Sequence, residues 1–118
     1  MKSDVLAEYL LSFLETSEEQ PFGPDVDVYK VAGKIFAIVS PDSKPRRISL
    51  KCDPLLALEL RQEYEAVIPG YHLNKDHWNT VALDGTVPTR ELKSMIRHSY
   101  DQVVSGLSKS VRQRLSRE

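Results

Sequence analysis

Val26-Asp27-Val28-Tyr29-Lys30-Val31-Ala32-Gly33-Lys34-Ile35-Phe36-Ala37-Ile38-Val39-Ser40 is the stretch that decides the fold. Val26, Val28 and Lys30 alternate with Asp27, Tyr29 and Val31, the period of a strand, and Lys34 to Ser40 is rich in the β-branched and aromatic residues that suit a pleated surface. Gly33 permits the chain to reverse between them, so the two runs pair as a hairpin. The polar link from Pro41 to Pro45 leads to a third alternating run, Arg46 to Lys51, with Ile48 and Leu50 set against Arg47, Ser49 and Lys51. The expectation is a three-stranded meander.

Upstream, Val5, Leu6, Tyr9, Leu10, Phe13 and Leu14 recur at helical spacing. They predict a helix over residues 4 to 15, capped by Ser3 or Asp4. Thr16 to Asp25, with Pro21, Gly23 and Pro24, reads as a loop. Downstream, Asp53-Pro54 is a strong helix start because the carboxylate accepts a free N–H where proline lacks one. Leu56, Leu60 and Tyr64 mark the inner face of that helix, which runs to about residue 65. Pro69-Gly70 breaks Ala66 to Leu73 into a short, bent strand, and His77 to Leu83 is a further strand closed by Asp84-Gly85. Pro88 opens the last long helix, whose stripe is Leu92, Met95, Ile96, Val103, Val104 and Leu107. Ser108 caps a basic tail containing Val111 and Leu115. The order α-β-β-β-α-β-β-α with a short helical tail implies an α+β two-layer sandwich: a largely antiparallel sheet packed on helices, its second face partly exposed.

At 118 residues and 41% hydrophobic composition, the chain fits one domain, residues 1 to 118, with enough apolar material for a core. The lone Cys52 cannot form an intrachain disulfide and fits a reducing, cytoplasmic setting. Charges within residues 1 to 14 argue against a signal peptide, and no run is long enough to span a bilayer, so no membrane partner is expected. The net charge of −1 is unevenly spread. Residues 1 to 29 hold one lysine against seven acids, whereas residues 90 to 118 hold seven bases against three acids.

Three blocks carry a family resemblance. Tyr29-Lys30-Val31 with Gly33-Lys34-Ile35-Phe36-Ala37, then Ser49-Leu50-Lys51-Cys52-Asp53-Pro54, then Pro69-Gly70-Tyr71-His72-Leu73-Asn74-Lys75-Asp76-His77-Trp78-Asn79-Thr80-Val81 resemble the MmcQ/YjbR family of small bacterial proteins. The resemblance implies a fold similar to frataxin and to type III secretion chaperones. It also implies association with DNA through a double-wing arrangement. It transfers no catalytic or base-reading residue.

The run His72, Leu73, Asn74, Lys75, Asp76, His77, Trp78 invites a metal or acid–base interpretation. Five residues across a bend fix no ligand geometry, and no further ligands are signalled. The preferred expectation is structural: Asn74 and Asp76 build a capped turn, Trp78 packs beneath it and His77 bonds backbone groups. Cys52 is expected to be a buried strand-end residue rather than a reactive thiol. The acids Asp4, Glu8, Glu15, Glu18 and Glu19 are expected to solubilise the chain's start, with metal binding the weaker alternative. No Gly-rich phosphate loop or nucleophile elbow is present. The chain is therefore expected to be non-enzymatic, without cofactor or metal.

For nucleic acid, the candidate contacts are Lys44, Arg46, Arg47 and Lys51 on one hairpin, Lys75 and His77 in the motif, and Arg97, Lys109, Arg112 and Arg114 toward the end. Arg46 and Arg47 should point to opposite faces of their strand, which weakens a single basic surface. The leading expectation is a double-stranded DNA partner bound through the basic hairpin and the C-terminal surface. The alternative is a protein-interaction adaptor presenting its sheet face or edge to a peptide.

Overall fold

The computed structural model describes residues 1–116. Helix α1 (Ser3–Leu11) leads into β1 (Thr16–Glu19), β2 (Asp27–Val31), β3 (Lys34–Ser40) and β4 (Arg47–Lys51). Then come α2 (Pro54–Glu63), β5 (Val67–Pro69), β6 (Trp78–Ala82), α3 (Thr89–Ser105) and α4 (Lys109–Ser116). The six strands form one antiparallel sheet in the order β1-β2-β3-β4-β6-β5. The α+β class is as expected.

The meander has four strands rather than three. Thr16 to Glu19, expected as loop, pairs with β2 from Thr16↔Val31 to Glu19↔Val28. The first helix accordingly stops at Leu11, not residue 15. Thr16 Oγ1 donates to Phe13 O at 2.9 Å, Glu15 adopts φ 54, and Ala32 N donates to Glu15 O at 3.0 Å. Those bonds reverse the chain so that a polar segment reaches the sheet edge, where charged side chains discourage pairing with other molecules. Neither Ser3 nor Asp4 caps α1: the cap position is Lys2, which makes no side-chain capping bond.

Elsewhere local chemistry gives the expected element. Ala32 (φ 48) and Gly33 (φ 84) both lie in the left-handed region, as a two-residue hairpin turn with right-handed strand twist requires. Asp53 accepts from Leu56 N at 3.2 Å at the start of α2. Ser108 accepts from Val111 N at 3.4 Å at the start of α4.

One sheet face is covered. Ala37, Val39, Ile48, Leu50, Val81 and Val67 project from it into a core completed by Leu6 and Leu10 of α1 and Leu92, Met95, Ile96, Tyr100 and Val103 of α3. Phe36, fully buried, is an extra residue in β3: Tyr29 faces Ala37 and Lys30 faces Ile35, leaving Phe36 opposite neither. Its ring meets Phe13 and Tyr100 edge-on, at centroid distances of 6.2 and 5.6 Å.

Cys52 is buried after β4, and burial is the main cause that pushes its thiol up to about 11. The fold therefore prefers the protonated thiol. This contribution is fully present below the thiol's ordinary 9.0 and declines as pH rises from there toward about 11. At neutral pH a thiol reagent should label unfolded protein rapidly and native protein at least about a hundredfold more slowly. Equal rates would contradict the burial.

Candidate functional site: the open face of the sheet

Among the described residues, no helix packs on the other sheet face. Side chains alternate along a strand, so the register Ser40↔Arg47↔Ala82 and Ile38↔Ser49↔Thr80↔Ile68 places these residues together on the open side. Loops rim it. Tyr71, His72 and Leu73 fold over the sheet from one side, and Asp25, Val26, Asp42 and Ser43 approach from the other, enclosing a cleft of about 500 Å³ floored by Ile38, Ser49 and Thr80. A second cleft, about 420 Å³, continues toward β5 and is lined by Glu63, Glu65, Ala66, Ile68, Ala82 and Asp84. Arg47 and Thr80 border both clefts.

The ridge between the clefts is built from the family-like motif. Tyr71 N donates to Thr80 Oγ1 at 2.9 Å, and that hydroxyl bonds Ser49 Oγ at 2.8 Å beneath the loop. The Arg47 guanidinium lies 4.7 Å from the Tyr71 ring centre, and His72 (φ 59) sets its ring 4.1 Å from the same ring. Among the described residues, the Arg47 guanidinium makes no hydrogen bond or ion pair, so its N–H edge is free for a ligand.

The rest of the motif is structural. Asp76 N donates to Asn74 Oδ1 at 2.9 Å, the expected turn, and Lys75 Nζ donates to Gly70 O at 2.8 Å. His77 joins β4 through its backbone, its carbonyl accepting from Cys52 N at 2.8 Å, while its ring is exposed. Gly70 is buried and donates to Trp78 O at 2.8 Å. A Cβ there would sit 2.7 Å from Trp78 Cβ and 3.0 Å from Trp78 O. Gly70→Ala should therefore cost about 1–3 kcal/mol in urea unfolding, and an unchanged midpoint would contradict this packing.

Arg61 of α2 was not singled out by sequence, yet it fastens this segment. Its Nε donates to Asn79 Oδ1 at 2.7 Å, and its terminal nitrogen donates to the carbonyls of Lys75 and Trp78. The available signal was spacing: Arg61 lies one helical turn from the buried Ala57, on the inward face.

The expected nucleic-acid contacts do not converge. Arg46 turns to the α1 side and donates to Met1 O and Ser3 Oγ, opposite Arg47 as the alternation requires. Arg97 pairs with Asp101 at 3.3 Å, and Arg114 grips both oxygens of Glu15 at 2.6 and 2.7 Å. Hydrogen bonding from Arg114 holds the Glu15 carboxyl below its usual range. Arg112 lies near Arg97, on the helix side. Lys44 is exposed in the β3–β4 loop beside the first cleft, and Lys109 is exposed at the start of α4. Of the ten expected contacts, only Arg47 lines the open-face clefts. Five acids line them with it: Asp25, Asp42, Glu63, Glu65 and Asp84. Among the described residues, no group of three or more His, Cys, Asp or Glu is arranged to hold a metal ion. No helix there is long and apolar enough to cross a membrane.

Known proteins resemble this chain in sequence and in fold. The chain is similar to the uncharacterized protein YbdF of Escherichia coli O157:H7, 40% identical over 95 residues covering 80% of this chain and 78% of that one. It is also similar to the uncharacterized protein YjbR of Escherichia coli K12, 41% identical over 86 residues, 73% of each chain. The crystal structure of Deinococcus radiodurans protein DR2400, described by a DUF419 domain, superposes with a TM-score of 0.90 at 39% identity. That match covers 96% of this chain and 86% of the other. A crystal structure from Pseudomonas syringae gives 0.76 at 28% identity, over 86% and 98% of the two chains. The YjbR family model matches residues 11–102, from the end of α1 through most of α3, and the chain belongs to the YjbR family.

Proposed function

We propose that this protein acts by binding rather than by catalysis, and that it receives a short segment of a partner protein on the open face of its sheet. The observation that carries this reading is the pair of adjoining clefts, about 500 and 420 Å³, on a sheet face that no helix covers. Exposed Tyr71 and Ile68 and half-buried Ile38, Val26 and Leu73 offer apolar contact, while Arg47 and the flanking acids offer polar contact. Mixed surfaces of this kind suit peptides, with aromatic and arginine side chains as anchors.

Association with DNA is the second reading, favoured by the unpaired guanidinium of Arg47 on Tyr71 with exposed Lys44 nearby. One or two phosphate contacts would give only a shallow salt dependence, with affinity falling roughly tenfold or less for a fourfold rise in salt.

Peptides selected from a random library on the immobilised protein separate the two. Peptide affinity should fall at least about tenfold in Tyr71→Ala and in Ile68→Asp, both exposed positions whose replacement leaves the core intact. Selected peptides indifferent to both substitutions would overturn the docking reading. Duplex DNA binding lost in Arg47→Ala, with no peptide selected, would favour the second.

A further inference from the structure

The charge around the clefts says what kind of segment they fit, an inference that rests on the open face being a docking surface. Asp25 and Asp42 line the outer end of the first cleft, and Glu63, Glu65 and Asp84 line the second. These acids come from four separate loops and helix ends, and among the described residues Arg47 is the one arginine or lysine lining either cleft. Asp84 accepts from Thr86 N at 3.0 Å and Thr86 Oγ1 at 2.6 Å, bonds that favour its charged form. Asp25, Asp42 and Glu65 are exposed and make no ion pair or side-chain hydrogen bond among the described residues. Their charge is available to a ligand.

Exposed Lys44, in the β3–β4 loop beside the first cleft, offsets part of this field, and several other bases are engaged elsewhere. Lys30 is paired with Glu19 at 3.0 Å at the β1 edge, and Arg97 and Arg114 are paired on the helix side. A polyanion approaching the open face would meet five carboxylates against Arg47 and the neighbouring Lys44, whereas a cationic segment would be steered toward it.

We propose that the open sheet face docks an extended, basic peptide segment of a partner protein, with Lys or Arg side chains at both ends and an apolar residue entering each cleft. The clefts together cross β3, β4, β6 and β5. Three inter-strand spacings are about 14 Å, the reach of roughly four to six extended residues. Bases at the two ends of such a segment meet Asp25 and Asp42 at one end and Glu63, Glu65 and Asp84 at the other. Arg47, held flat by Tyr71 at the midpoint, faces the segment's backbone carbonyls, which accept from it. A base at the middle position is disfavoured by Arg47.

The test is a display selection of seven-residue peptides from three libraries, one enriched in Lys and Arg, one in Asp and Glu and one uncharged. The targets are wild type, Asp42→Lys/Glu65→Lys and Ile68→Asp, and a labelled random duplex is titrated in parallel. The expected result is enrichment from the basic library alone. The charge-reversed protein should bind the winning peptides at least about tenfold more weakly, and raised salt should weaken the wild-type complex. Matching Asp42→Asn/Glu65→Gln protein, with an unaltered thermal unfolding midpoint, should show a smaller loss in the same direction. Enrichment from the acidic or uncharged library that is still abolished by Ile68→Asp would leave docking intact and overturn the charge assignment. Absence of any Ile68-dependent enrichment would overturn both, as would tight duplex binding lost in Arg47→Ala.

Discussion

Replacing Phe36 by Ala should lower the free energy of unfolding by about 3–5 kcal/mol, the range for emptying a fully buried aromatic site. Phe36 has no accessible surface and its ring is enclosed by Phe13 and Tyr100, which also stack on each other at 4.8 Å. Those rings belong to the chain after α1, to β3 and to α3, so the cavity would open where three parts of the molecule meet. The backbone cannot readily close it, because Phe36 occupies a bulge whose neighbours are fixed by the β2–β3 register. Against a typical domain stability of about 5–15 kcal/mol, this is a large fraction. Urea unfolding followed by circular dichroism measures it; a loss below about 1 kcal/mol would mean that the ring is not the centre of the core.

Ser99→Ala should be nearly as damaging, at about 2–4 kcal/mol, although it removes one oxygen. The side chain is completely buried in α3. Its hydroxyl donates to Phe36 O at 2.5 Å and accepts from Lys51 N at 2.8 Å. The first group belongs to the bulge, and the second lies one residue beyond the last β3–β4 pair, Ala37↔Leu50, so Lys51 has no partner on β3 although it pairs with Trp78 of β6 on its other side. Alanine would leave a buried acceptor and a part-buried donor without their partner together. Ser99→Cys should recover part of the loss through a weak thiol hydrogen bond. A neutral Ser99→Ala would show that water or a backbone shift replaces the hydroxyl.

These two positions illustrate what the sequence reveals and what it hides. Phe36 sits in an alternating apolar run, so its strand is legible, but the bulge is not: an extra residue changes no composition and little periodicity. Asp53-Pro54 and Ala32-Gly33 announce a helix start and a turn because local bonding at those residues suffices. Thr16 to Glu19 is the counter-example, since an edge strand contributes backbone bonds and keeps its side chains in water, leaving no apolar period to detect. Arg46 and Arg47 obey simple alternation, and that rule separates them.

The site was legible in part. Tyr71 and His72 belong to the motif, and Arg47 stood among the expected basic contacts. That Tyr71 holds Arg47 on the ridge between two clefts depends on a loop folding back across β6, fixed by Tyr71 N on Thr80 and by Arg61 on the far side of the segment. Asp25, Asp42, Glu65 and Asp84 are far apart in sequence and read singly as solvated loop charges. Their convergence exists only once the sheet has formed. The basic end of the chain, which suggested a phosphate-binding surface, is partly cancelled by Glu15 and Asp101, as spatial neighbours of opposite charge.

The most direct measurement of the central claim is amide chemical-shift mapping of isotope-labelled protein titrated with a selected basic peptide. The perturbed amides are expected to cluster at Ile38, Arg47, Ser49, Ile68, Tyr71, His72 and Thr80, with α3 and α4 unmoved. Perturbations centred on Arg97, Arg112 and Arg114 instead, with the open-face residues silent, would contradict it.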